Sequence, residues 1–271
     1  MSSQRRIADL SGIVRAHAPV SGRAPLGAEV VDRLLGGGLV RGALHEVRCD
    51  HAREIAAASG FLIGLIERLH ASSGRVVWVV DPATSFDAGT LFPQGLAQIG
   101  FDPARLVHVL PHDLATALWA ADEAVKCRGL AAVVLQIRGN PARLDLTATR
   151  RLMLRAQENG GFACVLRQSA EAQASAAVTR WHVRAESSAP PGALWTPPAP
   201  RWRVTLEKNR EGRTGEWSLA WNSECKVFEH APEIRSETRS AENSGPRLYP
   251  SAERPGGAAQ MGQVVAFEAA S

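Results

Sequence analysis

Two kinds of apolar pattern alternate along the first two thirds of the chain. The run RVVWVV at 75–80 is continuous and β-branched, and 130–137 and 162–168 are further mostly apolar runs. Such runs predict strands covered on both sides, as in a parallel sheet. Between them apolar residues recur at helical spacing. Ile55, Leu62, Leu65, Ile66 and Leu69 mark a helix over 52–70. Leu114, Ala117, Leu118, Ala121 and Val125 mark a second, with Asp113 as its cap; Leu146, Thr149, Leu152, Met153 and Ala156 mark a third, capped by Asp145 and ended by Gly160 and Gly161. Residues 28–35 predict a short helix, the glycines at 36–38 a turn, and 43–47 and 105–110 further strands. Residues 86–99 predict a weak helix broken by Pro93 and Gly95.

After residue 178 the period changes to two. Residues 178–184 alternate, Trp202, Val204 and Leu206 alternate with polar neighbours, and so do Trp217, Leu219 and Trp221. These are antiparallel strands with one wet face, the last two joined by REGRTG at 210–215. The expected fold is therefore α/β: a mostly parallel sheet with helices on both faces, followed by C-terminal antiparallel strands. Residues 1–22 form an N-terminal arm and 23–230 the domain. The proline-rich stretch 187–200 reads as a loop, and 231–271, poor in large apolar residues, as a disordered tail. Within the tail, QVVAFEA at 263–269 is an apolar island, either without a role or a peptide that folds on a partner.

Composition narrows the class. Apolar residues make up 45% of the 271, and no run reaches the roughly 18 apolar residues that would span a bilayer. Neither a membrane span nor a secretory leader is predicted, and the cytoplasm is the expected compartment. Cys49, Cys127, Cys164 and Cys225 lie far apart and make no zinc or redox motif; Cys127 and Cys164 sit in apolar surroundings. Six of the eight histidines (45, 51, 70, 108, 112 and 182) show no ligand spacing. The formal charge of +4 permits contact with nucleic acid without requiring it. The three lysines, Lys126, Lys208 and Lys226, all fall in the second half or near its start, and the remaining cations are arginine.

The distribution of lysines bears on one motif. The leader PLGAEVVDRLLGGGLVRGALHEV resembles the L-D-x-x-L-G-x-G-L-x-x-G-x-x-x-E element of the RecA-like core, with Asp32, Leu35, Gly36, Gly38, Leu39, Gly42 and Glu46 in register. The resemblance covers roughly residues 25–228. In that fold a phosphate loop, G-x-x-x-x-G-K-[ST], follows at once: its glycines let backbone N–H groups close on phosphate and its lysine neutralises the β and γ oxygens. Here the chain reads RCDHAREIA at 48–56, without glycine or lysine and with Asp50 and Glu54 added. The acid expected to end the strand at 131–135 is Gln136, and the catalytic glutamate two residues beyond Asp81 is Ala83. Gln168 does match the family's nucleotide-sensing glutamine. Arg53 offers one positive charge but cannot restore the loop's curvature.

An intact leader with these losses resembles the ImuA family, RecA-like proteins of the bacterial inducible mutagenesis cassette. The resemblance implies a non-catalytic adaptor in damage-induced (SOS) mutagenesis and error-prone translesion synthesis, with no cofactor and no metal. Its implied partners are the inactive Y-family polymerase homologue ImuB and an error-prone C-family DNA polymerase, with RecA and DNA as further candidates. Alternatives are a RecA-like division inhibitor of the SulA type and a weak ATPase with a substitute loop. Lys208 and Arg210 match basic residues that in RecA reach a neighbouring subunit's nucleotide, so Lys208, Asn209 and Arg210 are the candidate partner-binding residues; a solvated hairpin end is the competing reading. Trp202, Trp217 and Trp221 read as a packed sheet face rather than a base-stacking platform. Arg151 and Arg155, four apart on one helix, could meet phosphate or simply face solvent.

Overall fold

The computed structural model describes residues 22–70, 74–188 and 199–231. The chain divides into two units, Met1–Ile234 and Arg235–Ser271, and the description concerns the first. The expectations for the arm, the tail and its 263–269 island, and most of the proline-rich loop, fall outside the described residues.

In chain order the elements are β1 (Arg23–Ala24), α1 (Glu29–Leu34), β2 (Leu39–Val40), β3 (Ala43–Arg48), α2 (Ile55–His70), β4 (Arg75–Val80), α3 (Pro82–Ala88), α4 (Pro93–Gln98), β5 (Leu106–Val109), α5 (Leu114–Val125), β6 (Leu130–Arg138), α6 (Leu146–Asn159), β7 (Phe162–Gln168), β8 (Thr179–Ala185), β9 (Arg201–Asn209), β10 (Gly215–Asn222) and β11 (Val227–His230). Nine strands form one sheet in the order β11-β10-β9-β8-β3-β7-β6-β4-β5. The half from β8 to β5 is parallel and the half from β8 to β11 antiparallel. This is the mixed α/β architecture that the change of apolar period predicts.

The parallel strands divide their side chains between two cores, one on each face, as period two requires. Val76, Trp78 and Val80 of β4 join Phe61, Leu62 and Leu65 of α2 on one face. Val77 and Val79 join Ala117 and Ala121 of α5, with Leu152 and Met153 of α6, on the other. The antiparallel half is sealed by an aromatic cluster: the Phe61 ring lies 5.6 Å from Trp181, 5.9 Å from Trp202 and 5.2 Å from Phe228. Trp202 and Trp221 are buried and Trp217 half-buried against this core, which places the three tryptophans in packing, with no free stacking face at Trp202 or Trp221.

Asp113 and Asp145 cap α5 and α6 by accepting the backbone N–H of Thr116 and Ala148, and Gly160 ends α6 in the left-handed region. The segment 86–99 departs from expectation. It holds two helices, α3 opening at Pro82 and α4 at Pro93. Each proline stands in the first turn, where its missing N–H has no intrahelical partner to lose, so Pro93 starts a helix instead of breaking one. The β1–β2 pair and β11 are further elements the pattern does not announce; β1 and β2 are two residues long.

Candidate functional site

The leader's residues have mechanical reasons to be what they are. The Asp32 carboxylate accepts the N–H groups of Leu26 (2.6 Å) and Gly27 (3.0 Å), tying α1 to the incoming chain. Gly38 has φ +123° and a Cβ there would lie 2.2 Å from the Ala24 carbonyl oxygen, so only glycine fits. Glu46 lies in the middle of β3, 1% exposed, between two arginines. Arg167 pairs with one carboxylate oxygen; Arg180 Nε (2.7 Å) and the Ser175 hydroxyl (2.9 Å) donate to the other. Burial pushes the Glu46 carboxyl up, but the two guanidiniums outweigh it and hold the group below the ordinary carboxylate range.

β3 delivers the chain to the window where a phosphate loop would begin, at the carboxyl ends of the parallel strands, the usual ligand position in such sheets. The window is closed by the chain's own groups. Arg48 Nε donates to Glu207 (2.9 Å) in a two-pronged pair, and its Nη1 donates to Asp50 (2.6 Å) and to the Ala170 carbonyl (3.0 Å). The Glu207 hydrogen bond, opposed by burial, raises the Arg48 guanidinium above its usual range. Asp50 also meets His182 Nε2 at 2.9 Å. Burial pushes the Asp50 carboxyl up, yet Arg48 and His182 hold it below the ordinary range.

Three of the window's backbone donors are engaged as well. Cys49 N–H donates to the Arg167 carbonyl (3.0 Å), Glu54 N–H to the His51 carbonyl (3.0 Å), and His51 N–H to the Glu54 carboxylate (3.3 Å). The residues present therefore do not fit a magnesium–triphosphate: the N–H groups of Cys49, His51 and Glu54 are occupied, Arg48 is paired, Asp50 and Glu54 bring acidic groups into the window, and the exposed Arg53 cannot replace the curved, glycine-bearing backbone. The Cys49 thiol is buried and desolvation pushes it up to about 11, which makes it a poor nucleophile. Among the described residues no group of three or more His, Cys, Asp or Glu side chains is arranged to hold a metal ion. No helix among them is long and apolar enough to cross a membrane.

The neighbouring strand ends carry the other substituted positions. Gln136, 4% exposed at the end of β6, accepts the Trp78 indole N–H at 2.7 Å. Asp81 follows β4, and burial raises its carboxyl. Gln168 ends β7, its amide 3.4 Å from Asp87. Beside the window, between the first turns of α2, the α3–α4 connection and the ends of β8 and β9, lies a cavity of about 420 Å³. Nothing in the sequence announces it, because its walls come from five separated stretches.

The three candidate partner-binding residues stand together at the β9 end of the hairpin, in different situations. Lys208 Nζ donates to the Ser175 carbonyl at 2.6 Å, and burial, with Arg180 nearby, lowers its pKa. Asn209 donates to the carbonyls of Leu34 and Arg213 (3.2 Å each), fixing the hairpin against the end of α1. Arg210 is exposed. Arg151 and Arg155 both reach across to Asp122 on α5, a partner that their spacing on α6 does not reveal.

No protein-family model matches the chain. Over 198 residues it is 37% identical to Protein ImuA of Caulobacter vibrioides strain NA1000 / CB15N, covering 68% of this chain and 77% of the relative. It matches Protein ImuA of Caulobacter vibrioides strain ATCC 19089 / CIP 103742 / CB 15 to the same extent. At that identity and coverage, with the leader intact ahead of a closed phosphate window, the chain belongs to the ImuA family.

Proposed function

We propose that the chain is a non-catalytic adaptor of damage-induced mutagenesis, which uses a RecA-like sheet as a scaffold for the assembly of an error-prone polymerase complex. The observation that carries this reading is the self-satisfied window after β3: Arg48 bound to Glu207 and Asp50, and the N–H groups of Cys49, His51 and Glu54 already accepted by the chain's own oxygens. A fold of this kind without a nucleotide site has surfaces to offer, and family membership supplies the context in which they act. On this reading the partners are an inactive Y-family polymerase homologue of the ImuB type and a C-family polymerase. RecA and DNA are further candidates, with Lys208, Asn209 and Arg210 a contact for a partner's acidic groups.

Three measurements test the proposal and its parts. Equilibrium binding of labelled ATP to the purified full chain is expected to give no signal at millimolar nucleotide; saturable, magnesium-dependent binding refutes the non-catalytic reading. A strain lacking the chain is expected to lose damage-induced mutation, and a normal mutation frequency in that strain refutes the mutagenesis role. Replacing Lys208 and Arg210 by alanine is expected to weaken retention of RecA or of the polymerase homologue. Unchanged retention removes the hairpin from the interface while the adaptor reading stands.

A further inference from the structure

The positions that would serve magnesium and phosphate have become the wall of the cavity. Aligned on the eight-residue loop pattern, Cys49 and Glu54 occupy the glycine positions, Ile55 that of the lysine and Ala56 that of the hydroxyl residue. Ile55, Ala56 and Gln136 all line the cavity of about 420 Å³. The lysine, the hydroxyl and the acid are thus replaced by a branched alkyl group, a methyl group and an uncharged amide. Leu91, Leu96 and Trp202 complete the apolar walls. The volume lies in the range of sites that take a drug-sized molecule or a bulky side chain, about 300–1,000 Å³.

The cavity is not uniformly apolar. The Gln136 amide is fixed by the indole of Trp78, which donates to Oε1 and so assigns Nε2 as the free end. Ser59, 6% exposed, also lines the cavity. Among the described residues neither Gln136 Nε2 nor the Ser59 hydroxyl has an acceptor, so both are donors open to an occupant, while Glu186 and Arg201, which also line the cavity, are paired with each other at 3.5 Å. An occupant needs an apolar body and an uncharged oxygen acceptor: the substituted positions hold no cation, and the charge of Arg201 in the lining is already met by Glu186, so an anion would lose its hydration without gaining a counter-charge. Outside the mouth the apolar character continues. Phe92, a lining residue, is 66% exposed, and Phe86, on the helix that precedes the wall loop, is 92% exposed. Exposed aromatic surface beside an anchor pocket is the anatomy of a protein interface, where one large side chain fills a desolvated pocket and its surroundings exclude water.

We infer that this cavity, built from the substituted nucleotide-site positions, receives an aromatic or large aliphatic side chain of a partner protein, with a backbone carbonyl of the same partner segment accepting from Gln136 and Ser59. The inference deepens the adaptor reading and rests on it. The nucleotide site has not merely been lost; its place is taken by an apolar anchor point for another protein.

The probe is N-phenyl-1-naphthylamine, an uncharged apolar fluorophore, added to the full-length chain. Saturable enhancement is expected, unaffected by millimolar magnesium–ATP and weakened at least about ten-fold, some 1.4 kcal/mol, in Ala56→Trp. Ala56 is exposed on α2, so the indole enters the cavity mouth without entering the core. Phe92→Ser, at an exposed rim position, serves as the second variant and is expected to weaken binding less. Equal binding by wild type and both variants, or displacement of the dye by magnesium–ATP, overturns the site. In cells, Ala56→Trp is expected to lower damage-induced mutation toward the level of the deletion strain. Wild-type mutation in cells whose variant binds no dye overturns the partner assignment, while the adaptor reading falls only on the deletion strain. A small apolar molecule released by denaturing the wild type, or dye binding that appears only once residues 189–198 are removed, gives the cavity a different occupant and also overturns it.

Discussion

Glu46 and Asp122 are both buried carboxylates that gather arginines, one in the middle of the sheet and the other between α5 and α6. They differ in where those arginines can go. Side chains of Arg167 and Arg180 are 2% and 9% exposed, whereas Arg151 and Arg155 are 54% and 24% exposed, with Lys126 also within 3.8 Å of Asp122. Removing Glu46 would leave two guanidiniums with no counter-charge and no path to water. Removing Asp122 would free cations that hydrate at once. Two carboxylates that each gather a pair of arginines therefore do different work. The Glu46 group fixes how β3, β7 and β8 lie together beneath the closed window, and the Asp122 group latches two surface helices. An arginine-rich chain invites a phosphate-binding reading, and these pairs show five of its basic side chains engaged within the fold.

The comparison breaks first at Glu46. Glu46→Gln is expected to destabilise the domain by about 3–5 kcal/mol, the cost of stranding one side of a buried ion pair. Urea unfolding of the purified variant measures it, and a loss below about 1 kcal/mol would mean that the Arg167–Arg180 group relaxes into solvent after all. The neighbouring residue sharpens the point by pH. His45 is fully buried, with Nδ1 2.8 Å from Thr179 Oγ1, Nε2 2.9 Å from the Val40 carbonyl and its ring stacked on Phe162. Burial lowers its pKa from 6.5 to about 4, against the opposing pull of the Val40 carbonyl. Between those values the unfolded chain binds a proton that the native state refuses, so stability is complete above about pH 6.5 and falls as the pH drops toward 4, by about 3 kcal/mol in all. The Glu46 contribution, from a group whose native pKa is depressed, starts to fall only in the ordinary carboxylate range and continues below it. Unfolding followed from pH 7 to pH 4.5 should therefore slope downward in the wild type and run flatter in His45→Gln.

Local chemistry made most of the fold legible. The strands at 75–80 and 162–168 have the bounds their apolar runs imply, and Asp113, Asp145 and Gly160 cap where their residue types predict. Proline misleads at 93 because its meaning depends on whether a helix opens or continues there, which the local sequence does not state. For the site, a missing lysine, a missing glycine and a glutamine in place of an acid could each be read directly. The side chains that replace their interactions could not. Glu207 lies 159 residues from Arg48, and the cavity joins α2 to Gln136 and Trp202. Such pairings are set by strand order, and the order β8-β3-β7-β6 follows from packing on both faces of the sheet rather than from any one segment.

The smallest effect lies at the other end of the comparison. Asp122→Asn is expected to cost less than about 1 kcal/mol, because the asparagine oxygen keeps one of the two arginines, Arg155 retains the Asp122 backbone carbonyl, and the partly exposed guanidiniums recover solvation. Its second consequence is electrostatic: one unit of positive charge is uncovered beside two arginines on α6. If the face between α5 and α6 lies near nucleic acid, the variant should bind single-stranded DNA more tightly than wild type at low salt, with the difference vanishing as salt rises. If that face is a latch alone, affinity is unchanged at every salt concentration. A large loss of stability would instead make Asp122 equivalent to Glu46, and exposure of the partner arginines would no longer distinguish the two centres.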